Sequence, residues 1–380
     1  MFPSVNQWLV DHYCFGIFLG FLIEHKGHFL VLYRLLHHQY QQSSDDEVLE
    51  QEIEADFSTY IERHPLEYEC YQTIDNLGSL LRIKGSKGMG KTLLIDKVSH
   101  QPIVKKYQVI SLSLLLADSS ILSDINAFLR WFCLVISKKL KLDNKLEQYW
   151  EEGLGYIYNC TTYFEEYILH NINYPLILAL DDVDQIFSYR KIADNFFSML
   201  RAWHEEAKIN KTWQKLRLIL AYSTEQYIPA DINQSPFNVG VEIELRDFDP
   251  NELVNLANKY HINLDNNIIE NIMNKIGGHP YLLQKIINSL NREDTTVEKL
   301  LETATTDHGI FKDHLRGHLL NLQQYPELAA AMKTVVSKNA PIPLESKLAF
   351  KLHSLGLVEW KDNQVKPRYR LYADYFCDRL

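Results

Sequence analysis

The sequence is poor in cysteine, and the cysteines that it has form no recognisable pattern. None of the five belongs to a Cys-x-x-Cys pair, and none stands beside a histidine at metal-ligand spacing. We therefore expect reduced thiols, buried or idle, rather than a disulfide framework or a zinc site. The adjacent His37 and His38 have no cluster of partner ligands in the sequence, which argues against a metal centre there.

Positive charge is also scarce. The 39 lysines and arginines face 49 aspartates and glutamates, which gives a formal net charge of −10 at pH 7. This balance argues against a protein that coats nucleic acid without sequence preference, although it allows a local basic face. The hydrophobic content of 46% excludes a disordered or fibrous chain, and the length of 380 residues predicts two or three domains.

Long hydrophobic runs are absent. The apolar run Cys14–Ile23 covers only ten residues, and charged residues interrupt it before Phe29–Leu36. A bilayer span needs about 20 apolar residues, and charges near its centre are costly. We therefore predict a packed or partner-binding helical arm and no contact with the membrane. There is no basic n-region or cleavage site of a signal peptide, so we expect a cytoplasmic protein.

Short apolar runs alternate with longer amphipathic stretches from Tyr60 onward, which is typical of βα units on a parallel sheet. Between the predicted strands, Ser123–Leu140 and Ile192–Glu206 have helical periodicity. The five predicted strands are Leu80–Lys84, Gln108–Leu112, Leu176–Leu180, Leu216–Tyr222 and Val241–Leu245.

Helices dominate the sequence after Leu245, and the pattern divides this part in two. The first part has helices predicted at Glu252–Tyr260, Asn267–Ile276 and Tyr281–Leu290, the first of them capped by Asp249 or Asn251. The second has helices predicted near Leu319–Gln324, Glu327–Ser337 and Ser346–Ser354, then a hairpin of Leu357–Trp360 and Val365–Leu371, which suggests a winged helix. We predict four regions: an apolar arm with an acidic linker (1–56), an α/β core (57–246), a helical lid (247–308) and a winged-helix-like domain (309–380).

Residues 85–92 read Gly-Ser-Lys-Gly-Met-Gly-Lys-Thr and match the P-loop pattern G-x-x-x-x-G-K-[ST]. They follow a predicted strand and precede the helical run Leu93–Val98, as a P-loop requires. Glycines let backbone N–H groups curl around phosphates at the positive end of the helix. Lys91 would reach the β- and γ-phosphates, and the Thr92 hydroxyl would coordinate Mg²⁺. We therefore predict binding of a nucleoside triphosphate with magnesium.

An acidic cluster follows the strand Leu176–Leu180, as a Walker B site needs. We expect Asp181 to hold Mg²⁺ and Asp182 to polarise the attacking water, with Asp184 as the alternative to Asp182.

Three polar residues, Ser223, Thr224 and Glu225, close the strand Leu216–Tyr222. P-loop ATPases with an additional strand between the Walker motifs carry a γ-phosphate sensor at this position, and a simple strand-end cap is the open alternative. Arg201 and Arg217 are candidates for an arginine finger, but for both residues a surface ion pair is the favoured interpretation.

Several segments, in this order along the chain, resemble the bacterial AAA-like ATPase domain family that is common in cyanobacteria. They are Tyr60–Arg63, the P-loop, the acidic cluster, Leu245–Phe248 and Gly277–Leu282. That family is similar to the STAND signal-transduction NTPases and to archaeal-type ATPases, and the resemblance covers residues 57–380. It implies an ASCE-type P-loop NTPase fold with a parallel five-stranded sheet, a helical lid and a C-terminal winged helix.

The resemblance also implies roles for particular residues and for the nucleotide. The box Tyr60–Arg63 would lie against the adenine, and Pro280 would close over the base. ADP would hold a closed form, whereas ATP would favour an open and often oligomeric one. One departure is Ser86–Met89, where relatives often carry Pro-Arg-Gln-Met. The expected nucleotide contacts are Tyr60, Ile61, Arg63, Gly85, Ser86, Lys87, Gly88, Met89, Gly90, Lys91, Thr92, Leu93, Ser223 and Pro280.

The leading interpretation is an ATP-binding and slowly hydrolysing switch with ATP, ADP and Mg²⁺ as ligands, a homo-oligomer in its ATP state and an effector bound through residues 1–55. The main alternative is a DNA-associated ATPase, because residues 309–380 hold 11 Lys/Arg against 7 Asp/Glu. DNA is less favoured, since the stretch Leu344–Leu357 is apolar. A third interpretation is a scaffold that holds ATP without hydrolysing it.

Overall fold

A sheet of five parallel strands forms the centre of the computed structural model, which describes residues 60–100, 107–225, 238–292, 295–338 and 340–380. The spatial order is β2-β3-β4-β1-β5, and every neighbouring pair is parallel. The prediction of five parallel strands is confirmed, and each strand lies within one residue of its predicted bounds. The strands are β1 (Leu80–Gly85), β2 (Gln108–Ser113), β3 (Leu176–Asp181), β4 (Leu216–Ser223) and β5 (Val241–Glu244).

The strand register brings the polar ends of four strands to one edge of the sheet. Gly85 at the end of β1 pairs with Ser223 of β4, and Ser113 at the end of β2 pairs with Asp181 of β3. Strand β4 lies between β1 and β3, so the segment after β1 and the acids after β3 flank it. Ligands of open parallel sheets bind at this carboxyl edge.

Helices cover both faces of the sheet, which explains why β3 is buried along its whole length. Alternate residues of a strand face opposite sides, and Ile177 therefore packs into a different core from Leu178. The helices of the α/β part are α1 (Leu66–Asp75), α2 (Lys91–Ser99), α3 (Ile125–Lys139), α4 (Tyr156–Thr162) and α5 (Arg190–Glu206). After α4 the chain continues through the π-helical turns Tyr163–Ile168 and the short helix Leu169–Asn171.

Four helices follow β5: α6 (Pro250–Lys259), α7 (Asn266–Ile276), α8 (Pro280–Leu290) and α9 (Val297–Glu302). Asp249, and not Asn251, caps α6: its side chain accepts the Glu252 N–H, and the Glu252 side chain bonds back to the backbone of Asp249. Pro280 occupies the first turn of α8, where its missing N–H costs nothing.

The last part of the chain has helices, a hairpin and one further helix. Its elements are α10 (Lys312–Gln324), α11 (Pro326–Val336), α12 (Ser346–Ser354), β6 (Val358–Lys361), β7 (Gln364–Pro367) and α13 (Arg370–Cys377). One apolar core runs from Phe248 to Phe376 through all the helices after β5. The division into lid and winged-helix domains therefore stays a prediction.

The prediction that the second strand of the hairpin continues to Leu371 is wrong. Strand β7 ends at Pro367, and Arg370 begins the helix α13. Leu371, Tyr372, Tyr375 and Phe376 are all buried, which is the spacing of one helix face. Packing of these side chains therefore decides the conformation, although aromatic residues favour strands locally.

Some predictions fall outside the described residues. The apolar arm and acidic linker of residues 1–56 lie there, as do the expected effector contacts of residues 1–55. Across the described ranges, no helix is both long and apolar enough to cross a membrane.

Candidate functional site

The loop of residues 85–92 connects β1 to α2 and turns on two glycines. Gly88 and Gly90 have φ angles of 83° and 93°, a left-handed backbone conformation that residues with a Cβ atom rarely adopt. The Nζ atom of Lys91 donates hydrogen bonds to the carbonyl oxygens of Gly85 at 2.9 Å and Ser86 at 3.0 Å. Burial lowers the pKa of Lys91, and the nearby acids oppose this effect. The ammonium group therefore lies against the first two residues of the loop.

The Thr92 hydroxyl and the Asp181 carboxylate are joined across the gap between the loop and β3. The Oγ1 atom of Thr92 donates to Oδ2 of Asp181 at 2.5 Å. Asp181 is 4% exposed, and burial, followed by the charge of Asp182, raises its pKa to about 6. A hydroxyl and a carboxylate are oxygen ligands of the kind that Mg²⁺ takes, and a cation would offset the burial of this charge. These two residues therefore fit a magnesium ion.

Asp182 follows Asp181 in a left-handed conformation with φ of 54°. Its Oδ2 atom accepts a hydrogen bond from Oγ of Ser113 at 2.7 Å, and this bond fixes the carboxylate at the edge of the sheet. Ser113 was not among the predicted site residues. The available signal was that β2, like β3, ends in a polar residue, because parallel strands bring such ends together.

The remaining predicted acid, Asp184, is engaged by the backbone of β4. Its Oδ1 atom accepts the N–H of Ser223 at 2.8 Å. This contact gives Asp184 a role in holding the end of β4 against the acidic cluster. Asp182 is held instead by the hydroxyl of Ser113, at the end of the neighbouring strand β2.

Thr224, the predicted γ-phosphate sensor, contacts two parts of the chain. Its N–H donates to the carbonyl oxygen of Gly85 at 3.3 Å, so the end of β4 runs beside the start of the loop. Its hydroxyl donates to the carbonyl oxygen of Ser354, the last residue of α12, at 2.9 Å. A Cβ added at Gly356 would lie 3.1 Å from Cβ of Ser86. The turn between α12 and β6 therefore packs against both the loop and Thr224.

The box Tyr60–Arg63 lies beside the loop. Arg63 is 2% exposed and donates from Nη1 to the carbonyl oxygen of Met89 at 2.8 Å. The Glu67 carboxylate accepts the N–H of Arg63 and the hydroxyl of Tyr60, at 2.9 and 2.6 Å. Ile61 belongs to the core of the helices that follow β5. The box thus links the loop to the region around Phe248, whose ring centroid is 5.5 Å from the Arg63 guanidinium.

The start of α8 lies against the loop on another side. A Cβ added at Gly88 would be 2.8 Å from Cβ of Tyr281 and 3.0 Å from Cε1 of His279, so only glycine fits this contact. These residues flank Pro280, which places the predicted lid residue next to the loop. Burial lowers the pKa of His279 to about 4, and its Nδ1 atom has no hydrogen-bond partner within the described part of the chain.

The sequence also singles out Leu93 as a nucleotide contact and two arginines as candidates for an arginine finger. Leu93, in the first turn of α2, is 53% exposed. Arg217 is at the start of β4, which is the opposite edge of the sheet from the loop, and it donates to the carbonyl oxygen of Gln214 at 2.7 Å. Arg201 donates to Oδ1 of Asn238 at 2.7 Å. Neither arginine joins the cluster formed by the loop and the acids.

A glycine loop after β1, an acid pair after β3 and a fourth strand between them define a P-loop NTPase of the α/β class. The sequence profile of a family described as an AAA-like domain matches residues 48–378, and the chain belongs to that family. The resemblance stated from the sequence is thereby confirmed. A search of the curated proteins gives no match.

Two solved structures from archaea share the fold. The Walker-type ATPase of Pyrococcus abyssi is 15% identical, with a TM-score of 0.56 over 83% of this chain and 95% of that one. The ORC2 protein of Aeropyrum pernix, in ADPNP–ADP complexes, is 14% identical, with a TM-score of 0.53 over 86% of this chain and 96% of that one. At these identities the similarity shows the fold alone.

Proposed function

We propose that this chain is an ATP-binding, slowly hydrolysing switch of the STAND type. The observation that carries the proposal is the hydrogen bond of 2.9 Å between the Thr224 hydroxyl and the Ser354 carbonyl oxygen. It connects a residue at the phosphate end of the site to the C-terminal helices. A switch requires ATP and ADP to favour different conformations, and this contact is a place where the terminal phosphate can act.

Binding of ATP or ADP with Mg²⁺ is supported by the loop and the acids around it. The N–H groups of residues 85–92 and the ammonium of Lys91 would hold the phosphates, and Thr92 with Asp181 would hold the ion. Magnesium supplies charge neutralisation when it is bound. The fold relative from Aeropyrum pernix is described in ADPNP–ADP complexes, which agrees with an adenine nucleotide here.

The chemistry is transfer of the terminal phosphoryl group to water, with positioning and charge neutralisation supplying most of the rate. Asp182 would orient and polarise the water, and Ser113 would hold the Asp182 carboxylate in place. Lys91 would neutralise charge on the phosphates. The scaffold interpretation, in which ATP is held without hydrolysis, gives none of these groups a catalytic role.

A switch of this kind would also have to break other contacts near the site. The Arg368 guanidinium donates from Nη2 to Oδ1 of Asp247 at 2.8 Å, and the Tyr369 hydroxyl donates to the same oxygen at 2.8 Å. Asp247 follows β5 closely, whereas both donors precede α13. Together with the contact of Gly356 on Ser86, these bonds hold the last third of the chain against the nucleotide site.

The DNA-associated alternative depends on basic residues at this end of the chain, several of which are engaged. Arg368 pairs with Asp247, Lys366 pairs with Glu359 at 2.6 Å, and Arg370 lies 3.8 Å from Asp374. Lys347 and Lys351 lie on α12 beside Phe350, which is 63% exposed, and the Lys351 ammonium is 5.6 Å from the ring centroid of Tyr325. An electrophoretic mobility shift with duplex DNA, measured at two salt concentrations, tests this alternative. Binding whose affinity falls steeply as the salt concentration rises would favour it.

Replacing Thr224 by valine tests the switch, because it removes the hydroxyl and keeps the shape. One net hydrogen bond of about 1 kcal/mol predicts a shift of about fivefold in the equilibrium from the closed to the open form.

Size exclusion with light scattering measures the effect. We expect the parent to be closed in ADP and larger or oligomeric in ATP, and Thr224→Val to be partly open in ADP. Thr334→Val is the matched control, since the Thr334 hydroxyl donates to the carbonyl oxygen of Ala330 within α11. Identical sizes of the nucleotide-bound parent in ATP and ADP would contradict the proposal.

A further inference from the structure

The carboxylate of Glu225 occupies a backbone donor of the phosphate loop. Its Oε1 atom accepts the N–H of Lys87, the third residue of the motif, at 2.9 Å. Glu225 can reach the loop because Thr224 is hydrogen-bonded to Gly85 and aligns the end of β4 with it. Backbone N–H groups of such loops are the donors that hold phosphate oxygens. The Glu225 carboxylate therefore accepts a hydrogen bond from a backbone N–H that is expected to bind a phosphate oxygen.

The surroundings of Glu225 indicate at which end of the site it lies. Burial is the largest influence on its pKa and raises it, while the charges of Lys91 and Lys87 act in the opposite direction. Lys91 in a P-loop reaches the β- and γ-phosphates. The Glu225 carboxylate is thus within electrostatic range of the group that meets the terminal phosphates, and Asp184 is a further negative charge close to it.

We propose that Glu225 makes the site discriminate between diphosphate and triphosphate nucleotides. Its carboxylate competes with the third phosphate for the Lys87 N–H and repels that phosphate, so that ADP is favoured over ATP until Glu225 turns away from the loop. A diphosphate ends earlier and meets less of this repulsion. This inference rests on the proposed function and adds a regulatory residue to the same site.

The same movement would connect discrimination to the switch. Glu225 follows Thr224 directly, and the Glu225 N–H donates to Oγ of Ser223 at 3.2 Å, so the three residues form one short segment. A third phosphate that displaces the carboxylate moves the segment that also holds Ser354. Release of the C-terminal helices would then follow from binding of ATP and not from binding of ADP.

Three substitutions separate charge from shape. Glu225→Gln keeps an oxygen acceptor for the Lys87 N–H and removes the charge, whereas Glu225→Asp keeps the charge. Glu206→Gln removes the same charge from an exposed position at the end of α5. The dissociation constants of ADP and of a non-hydrolysable ATP analogue, measured by calorimetry with Mg²⁺, give the ratio that matters. Thermal unfolding checks that each variant folds.

We expect Glu225→Gln to lower the ratio of the ATP-analogue constant to the ADP constant by about tenfold, or about 1.4 kcal/mol. Glu206→Gln should leave this ratio within about twofold of the parent, and Glu225→Asp, which keeps the charge on a shorter side chain, should lower it less than Glu225→Gln does. A carboxylate that only shapes the loop would change both constants together, and an unchanged ratio in Glu225→Gln would overturn the inference while nucleotide binding stands. A parent that binds neither nucleotide would instead overturn the proposed function, and the inference with it.

Discussion

Replacing Asp182 by asparagine is expected to slow ATP hydrolysis by about a thousandfold, because a positioned general base contributes about 10²–10⁴ to a rate. The amide has the size of the carboxylate and can still accept the Ser113 hydroxyl that now bonds to Oδ2 at 2.7 Å. It has no negative charge to polarise water. Nucleotide affinity should therefore change little. Phosphate release under single-turnover conditions with Mg²⁺ measures the effect.

Asp184→Asn is the matched variant, since both acids lie in the same cluster. An asparagine oxygen can still accept the Ser223 N–H, which Asp184 holds at 2.8 Å. We expect hydrolysis by this variant to stay within about tenfold of the parent, because the neutral acceptor preserves the contact. A large loss with Asp184→Asn and none with Asp182→Asn would transfer the role to Asp184. Background rates for parent and Asp182→Asn alike would support the scaffold interpretation.

Replacing Gly278 by alanine is expected to destabilise the folded chain by more than about 4 kcal/mol, a loss typical of severe steric conflict in a core. A Cβ at this position would lie 1.8 Å from the carbonyl oxygen of Phe248 and 2.7 Å from its backbone nitrogen. The conflict is with backbone atoms that cannot rotate away. It also breaks the hydrogen bond of 2.8 Å from the Phe248 N–H to the Gly278 carbonyl oxygen. The start of α8 would then no longer pack against the loop of residues 85–92.

A second glycine provides the control for this substitution. Gly317 lies inside α10, and a Cβ added there meets no atom within 4 Å. Gly317→Ala should stabilise the chain by about 0.5–1 kcal/mol, because alanine loses less entropy in a helix. Chemical denaturation of the three proteins measures both effects. A Gly278→Ala variant within about 1 kcal/mol of the parent would contradict the close packing described here.

The sheet and the phosphate loop could be predicted because their signals are local. Each strand is a short apolar run between polar residues, and the loop of residues 85–92 has a fixed spacing of glycines and lysine. Thr92 and Asp181 are both predicted from their motifs to hold Mg²⁺, and a shared ion requires the two side chains to lie close together. The bond of 2.5 Å between Thr92 and Asp181 agrees with that expectation.

Contacts between distant segments could not be predicted in the same way. Nothing local in Ser354 or Gly356 indicates that they pack on Thr224 and Ser86, because these contacts depend on how the last helices dock. The prediction of a strand up to Leu371 is wrong for a related reason. Tyr369, just before the helix α13, and the aromatic residues within it favour a strand by propensity, and only burial of the helix face against the neighbouring core decides otherwise.

Titration of the chain with ATP in the presence of Mg²⁺, followed by calorimetry, tests the central claim most directly. The account predicts one saturable site per chain that ADP competes for. It also predicts that Lys91→Ala, which removes the ammonium now bonded to the Gly85 and Ser86 carbonyl oxygens, abolishes the saturable heat while the protein stays folded. Binding of ATP to Lys91→Ala with the affinity of the parent would contradict the assignment of the site to the loop of residues 85–92.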